Sequence, residues 1–459
     1  MRKIILTLLI IFTCVSGLAG VIAAAEEGQL LTPDQAVAGS LDSDSSLRAA
    51  QLAMEVAADE YNAARRIFSL GGSYSQSQSD PVDIDSSTES LMINSGGTSG
   101  DPNAWWSLSA SQSDASLGNT DVKPGQTYNL TLTPFNLSQA INTKSKEVAL
   151  AGKTQAYETT KITLSTGIRT TYAEVVEKAA LLQIAREDLD LTKAHLKQVN
   201  VFYNVGKIAK LDLMDAEQQV KASEAKLASA DLSYQTALLK LSIALGKPDL
   251  KGYTFRSEAL KGIGADQIDI QQTLDRCLKD SPEVKGYKTQ MELAGLNLRM
   301  SYFFQLSGLQ LGASVYKPKD PLEGQPKDVT TYSLKIQGAL DDSPFRNLAM
   351  AKKNFKAAQD TLDFTVKTMQ TKVLDSLRLW KMAELSLEPM DQTINVAKER
   401  LRIANLKYDN GMASTSEVNE TRKALIASEE AYWQSWYNLI QAREGFYQAV
   451  WGNPAVKNQ

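Results

Sequence analysis

The chain repeats itself at a spacing of 205 residues, and the repeat is made of heptads. Large side chains recur every seven positions at Leu213, Val220, Leu227, Tyr234 and Leu241. Small ones sit three places further on, at Ala216, Ser223, Ala230, Ala237 and Ala244. A shift of 205 returns the large set as Val418, Leu425, Tyr432, Leu439 and Phe446, and the small set as Thr421, Ser428, Ser435, Ala442 and Ala449. Upstream, Ile168, Val175, Leu182, Leu189, Leu196 and Tyr203 correspond to Val373, Trp380, Leu387, Ile394, Leu401 and Tyr408. Such a period specifies long α-helices packed along left-handed seams, and the large–small alternation lets neighbours approach and interdigitate.

Matching breaks separate the heptad runs. Tyr203-Asn204-Val205-Gly206 and Tyr408-Asp409-Asn410-Gly411 each end a helix, with a glycine suited to the left-handed cap conformation. The next run starts within about ten residues, so each break is a helical hairpin tip. The first repeat therefore covers 26–250, with a long helix at 137–203, a tip at 203–211 and a return helix at 212–246. A linker follows at 247–271. The second repeat, 272–452, has a long helix at 345–408, a tip at 408–415 and a return helix at 416–451, leaving a tail at 453–459. Each long helix spans about 100 Å at 1.5 Å per residue. Pro389 is predicted to kink the second, where the counterpart Ile184 would not. Both repeats open with an amphipathic helix, Leu41 to Arg66 and Leu278 to Tyr302.

After the second opening helix the period changes from helical to two. Leu309, Leu311, Ala313 and Val315 alternate with Gly308, Gln310, Gly312 and Ser314, and after a Pro- and Gly-rich turn Tyr332, Leu334 and Ile336 alternate with Ser333, Lys335 and Gln337. Strands are thus expected near 306–316 and 330–339. In the first repeat they are expected near 126–136, where Tyr128, Leu130 and Leu132 alternate with polar residues, and near 70–79, where the pattern is weak and Ser/Gln-rich. Between these lies a polar stretch, 80–125, that reads as a long loop, with Trp105-Trp106 as aromatics near an interface or as part of a strand. Apolar–polar alternation joined by turns suits outer-membrane barrel strands, and equally a hairpin on a soluble core. Four strands cannot close around a lumen; three chains would supply twelve.

Composition narrows the function. Residues 1–25 read as a signal peptide: Arg2 and Lys3 precede an apolar run from Ile4 to Val15, and Ala23-Ala24-Ala25 offers a cleavage site. Cys14 lies within it, but Thr13 fits a lipidation site poorly. The remainder holds one cysteine, Cys277, so no intrachain disulfide can form. A net charge of −4 and pI near 5.5 give no electrostatic basis for binding nucleic acid. Mean hydropathy is −0.26, and no later stretch is long and apolar enough for a spanning helix. Neither a phosphate-binding loop nor a nucleophile elbow is present. His195, the sole histidine, reads as a surface residue on a long helix. No catalytic residue, metal ligand or cofactor site emerges, and the chain is not expected to be an enzyme.

Taken together, the leader, the two repeats and the Tyr-x-x-Gly tips resemble the TolC-like outer-membrane efflux proteins. The resemblance is most specific at the tips: Asn204, Val205, Gly206, Ala209 and Asp212 in the first, and Tyr408, Gly411, Glu417 and Val418 in the second. It implies a mainly α fold with β: a homotrimer with a twelve-stranded transmembrane β-barrel in outer-membrane lipid, continued into the periplasm by an α-helical coiled-coil barrel. The linker near Lys247 to Gln271 and the tail would contribute to an equatorial belt. A periplasmic adaptor protein would dock at Val205, Gly206, Lys207, Asn410, Gly411 and Met412, linking the channel to an inner-membrane pump. Asp212, Tyr408, Glu417 and Glu420 would line the closed aperture as acidic rings and polar links. Here Lys207 and Met412 depart from the family's usual tip residues, Leu211 replaces a hydroxyl residue and Ala413 an arginine. The alternative is a non-conducting, structural coiled-coil protein of the envelope.

Overall fold

The computed structural model describes residues 29–65, 69–79, 84–94, 106–117, 120–132, 138–247, 250, 252–260, 262, 264–302, 309–318, 328–336 and 343–451. The expected signal segment, Cys14, the tail at 453–459, and the strand ends at 133–136, 306–308 and 337–339 lie outside them. Nine helices appear among the described residues: α1 (Pro33–Ser43), α2 (Ser45–Ala64), α3 (Ser138–Asn204), α4 (Lys210–Ala244), α5 (Ile270–Asp280), α6 (Pro282–Tyr302), α7 (Ser343–Leu387), α8 (Met390–Asp409) and α9 (Thr415–Ala449). The strands are β1 (Gln29–Leu30), β2 (Ser69–Ser79), β3 (Ile84–Asn94), β4 (Trp106–Leu117), β5 (Thr120–Leu132), β6 (Tyr253–Thr254), β7 (Leu309–Pro318) and β8 (Val329–Ile336). The long helices fall within two residues of the positions that the heptads mark. Pro389 divides the second into α7 and α8, because its ring nitrogen has no hydrogen to donate to the helical ladder.

The described residues form two compact units. One lies within Met1–Ser43, Gly167–Gly262 and Ser386–Ile440, the other within Asp44–Thr166, Ile263–Leu385 and Gln441–Gln459.

In the first unit, β1 and β6 form a parallel pair held by one side chain, Tyr172 of α3. Its ring is fully buried and packs edge-on against Phe255, with centroids 5.5 Å apart. The hydroxyl donates to the Leu31 carbonyl oxygen at 2.9 Å and accepts from the Arg256 N–H at 3.1 Å. Towards the tips, Val199, Ala216, Ala397, Leu401, Ala404, Tyr408, Val418 and Leu425 form a contiguous core, most of them heptad positions from both repeats.

In the second unit, Trp380 is buried between Phe446 and Tyr447, with ring centroids 5.3 and 5.9 Å away. The Thr143 hydroxyl caps the end of α2 through the Ala64 carbonyl oxygen at 2.9 Å. Lys144 pairs with Glu292 at 2.6 Å and Lys146 with Glu60 at 2.8 Å, tying α3 to α6 and α2.

The sheet of this unit departs from expectation. It has six antiparallel strands in the order β2-β3-β4-β5-β7-β8. Within the 80–125 stretch, read from sequence as a loop, β3 and β4 form an additional hairpin, so the four strands expected per chain are six. Their pattern is easily missed: Leu91 and Ile93 flank the apolar Met92, which blurs the alternation, and Leu108 and Ala110 alternate with Ser107, Ser109 and Ser111, small polar residues. The register nevertheless aligns one face throughout. Leu70, Ile93, Leu108, Leu130, Ala313 and Tyr332 form one continuous row. The opposite face is mostly polar, with Ser73, Ser90, Ser109, Ser111, Asn129, Ser314 and Ser333 beside Met92, Tyr316 and Val329, and with Ser73 bonded to Ser90 at 2.7 Å.

Replacing Tyr172 with Phe should leave the Leu31 carbonyl and the Arg256 N–H unpaired beside a buried ring, costing about 1–3 kcal/mol. Chemical denaturation of the purified variant checks this, and loss of amide protection at Arg256 would localise it.

Candidate functional site: the helix tips

Both tips close in the same way. At the end of α3 the Gly206 N–H donates to the Tyr203 carbonyl at 2.9 Å and the Lys207 N–H to that of Phe202 at 2.9 Å. At the end of α8 the Gly411 N–H donates to the Tyr408 carbonyl at 3.0 Å and the Met412 N–H to that of Lys407 at 2.8 Å. These are paired Schellman bonds, which require a left-handed residue after the helix. Gly206 and Gly411 have φ of +72° and +75°. A Cβ on either would meet nothing within 4 Å, so glycine is set by backbone conformation and not by crowding within the chain.

The expected docking residues are on the surface. Val205 is 62% exposed and Met412 79% exposed, and Gly206, Lys207, Asn410 and Gly411 are exposed as well. The Lys207 ammonium lies 5.5 Å from the centroid of the Phe202 ring. Leu211 and Met214 add apolar surface on the first turns of α4.

The four expected gate residues have separate surroundings in one chain. Asp212, half-buried at the third position of α4, accepts from the Ala209 N–H at 3.2 Å; Ala209 has no side-chain acceptor to reciprocate, so only half a capping box exists. Glu417 lies in the first turn of α9, where its N–H donates to the Ser414 hydroxyl at 3.2 Å, and its exposed carboxylate lies 3.8 Å from Lys407. Glu420 borders a groove of about 630 Å³ between α8 and α9 with Pro389, Arg400 and Ser428. Tyr408 is buried, with the Thr415 hydroxyl 3.4 Å from its own and the rings of His195 and Phe202 at 5.3 and 5.5 Å. It anchors the tip and does not present its ring to solvent within a single chain.

Two features escape the sequence reading. His195 is 9% exposed and faces Tyr408, which corrects its assignment to the surface. It lies on the α3 face of Asp188, Thr192 and Val199, at spacings of three and four that turn inward with the seam. One turn away is a buried polar network centred on Arg422. Its guanidinium pairs with Asp188, donates to the Thr192 hydroxyl at 2.7 Å and reaches the Gln219 side-chain oxygen at 3.2 Å. Asp188 also accepts from the Ser223 hydroxyl at 2.8 Å. Three helices of both repeats are joined in this way. Burial, and then the charge of Arg422, hold the His195 imidazole below its ordinary value.

Breaking the pair with Arg422→Met leaves the Asp188 carboxylate buried without its cation and should cost about 3–5 kcal/mol, whereas adding Asp188→Leu should restore at least half of that. Denaturant titration of the single and double variants measures both. The His195 effect has a definite sign: the folded chain binds this proton less readily than the unfolded chain does. Its contribution is present above pH about 6.5 and is lost as the pH falls below that value, by at most about 1.4 kcal/mol per unit. The stability advantage of the native chain over His195→Leu should therefore shrink between pH 7.5 and 5, as thermal melts would show.

Known proteins share the fold. The family model described as outer membrane efflux protein matches residues 36–247. Nodulation protein T of Rhizobium leguminosarum bv. trifolii is 24% identical over 311 residues, a match spanning 63% of this chain and 63% of that relative. Among solved structures, CusC superposes with a TM-score of 0.68 at 16% identity, covering 95% of this chain and 96% of that one. The outer membrane protein VceC of Vibrio cholerae superposes with a TM-score of 0.65 at 14% identity, covering 92% and 96%.

Proposed function

We propose that this chain, whose residues 36–247 match the family model described as outer membrane efflux protein, is a member of that family and one third of a passive exit duct for efflux or secretion. The family is one of transport channels, not of enzymes. In this reading three copies join their sheets into a barrel in outer-membrane lipid, and the long helices form the periplasmic conduit. The observation that carries it is the one-faced sheet. Leu91, Leu108, Tyr128, Leu130, Leu311, Tyr332 and Leu334 are 39–81% exposed on the same side, an apolar strip that water does not tolerate and acyl chains do.

The exposed tips, with Val205, Lys207 and Met412 around a fixed turn, are the docking points for a periplasmic adaptor that couples the duct to an inner-membrane pump. The aperture is built from Asp212, Glu417 and Glu420, brought near their symmetry mates by three-fold assembly. Like charges in a narrow ring attract cations. With arginine absent at Ala413, closure rests on packing around Tyr408 and on the pair of Lys407 with Glu417.

Reconstituted protein should migrate as a heat-sensitive trimer and conduct with a preference for cations. The double change Glu417→Gln, Glu420→Gln should reduce that preference several-fold in reversal-potential recordings. A purified chain that stays monomeric in mild detergent and never conducts would point instead to a structural coiled-coil role.

A further inference from the structure

Accepting the trimeric duct, we infer that β3 and β4 belong to the wall in lipid, so that each subunit contributes six strands and the closed barrel has eighteen.

The register is the first support. All eleven residues of β2 pair with β3, and all eleven of β3 pair with β4, so the additional hairpin stands between β2 and β5 for its full length and does not fold over them. The second is the apolar strip. The row Leu70, Ile93, Leu108, Leu130, Ala313, Tyr332 crosses all six strands, and the row Leu91, Ala110, Tyr128, Val315 crosses β3, β4, β5 and β7, with Gly72 and Thr330 at its ends. The strip also ends at one level. On the same face the next row reads Tyr74, Glu89, Gln112, Gln126 and Lys317, so polarity begins at the same height in β3 and β4 as in β5 and β7. Gln126 binds Gln112 at 3.5 Å, which continues that rim from strand to strand. On β7 the strip runs from Leu309 to Val315, about 20 Å at roughly 3.4 Å per residue. A hairpin lying in water has no reason to match the polarity levels of its neighbours.

Closure follows from direction. With six alternating strands, β8 runs antiparallel to β2, so the free edge of one copy can pair with the free edge of the next around a rotation axis. Leaving both edges open in lipid is not an option, because their N–H and C=O groups would have no partners. Three copies at six strands give eighteen, an even number, with a circumference 18/12, or about 1.5 times, that of a twelve-stranded wall. The outer-membrane section is correspondingly wide and admits bulkier cargo.

The test uses the full chain in a Cys277→Ser background, with single cysteines at Leu91, Leu108 and Leu334 on the apolar face and at Ser90 and Ser109 on the polar face. The trimer is reconstituted in phosphatidylcholine vesicles. Bimane-labelled Leu91→Cys and Leu108→Cys should be quenched by acyl-chain nitroxide lipid as strongly as Leu334→Cys, and at least twofold more than the Ser90→Cys and Ser109→Cys controls. In addition, Ser73→Cys with Asn129→Cys should form no disulfide, because β2 and β5 stand three strands apart, roughly 14 Å. Leu91→Cys and Leu108→Cys reacting with an impermeant maleimide while Leu334→Cys stays shielded, together with a β2–β5 disulfide, would overturn the six-strand wall and leave the duct standing. Failure of Leu334→Cys itself to meet lipid, or absence of a three-copy band, would overturn the duct reading first.

Discussion

An antiparallel sheet with one apolar and one polar face must put the apolar face against something other than water. In this chain the requirement extends over six strands, and among the described residues Leu91, Leu108, Tyr128, Leu130, Leu311, Tyr332 and Leu334 on that face remain open. Even a modest coefficient of roughly 25 cal/mol per Å² makes such a surface expensive in solution. The polar face, lined with serine, threonine and asparagine, is equally unsuited to a hydrocarbon core. Lipid outside and water inside satisfy both faces together, and everything proposed for the sheet follows from that division.

At the tips the governing interaction differs in kind. Arg422 is buried with Asp188, Thr192, Gln219 and Ser223, a charge pair extended by hydrogen bonds to neighbouring hydroxyl and amide groups, while the Arg422 Nε has no partner among the described residues. Such pairs add little net stability over a hydrophobic equivalent, but they penalise misregistered packing strongly. A heptad seam of similar residues can slip by one repeat at small cost. An arginine that finds its carboxylate only in one register restricts that freedom, and the same constraint orients His195 and Tyr408 beside it.

The helices were the most legible part of the chain, because a seven-residue period over many turns leaves few alternatives, and the cap glycines showed where they stop. The sheet was half legible. Strands β5, β7 and β8 combine aliphatic and aromatic residues at alternate positions, whereas β4 alternates small apolar or leucine residues with serine, and β3 is Ser-rich with its alternation broken at Met92, so both read as loop until their partners are known. Long-range pairing supplied what local propensity lacked. The site divided similarly. Exposed tip residues could be named from the turn signature, but the burial of His195 and Arg422 depends on which face of α3 meets the second repeat, and heptads alone do not say which flank of a seam is covered.

The glycine turns at the two tips have a consequence for how such a chain can change partners. Each reversal is held by backbone hydrogen bonds and by a φ that only the glycine adopts freely, and a Cβ on either glycine would meet no described atom within 4 Å. Val205, Lys207 and Met412 can therefore be exchanged without redrawing the loop that carries them, whereas the Asn410 amide donates to the Leu406 carbonyl at 2.7 Å and helps to close its turn. On the proposed docking role, descendants of this scaffold are free to acquire a new cognate assembly by altering a few exposed side chains, while the interior that keeps the helices aligned stays as it was.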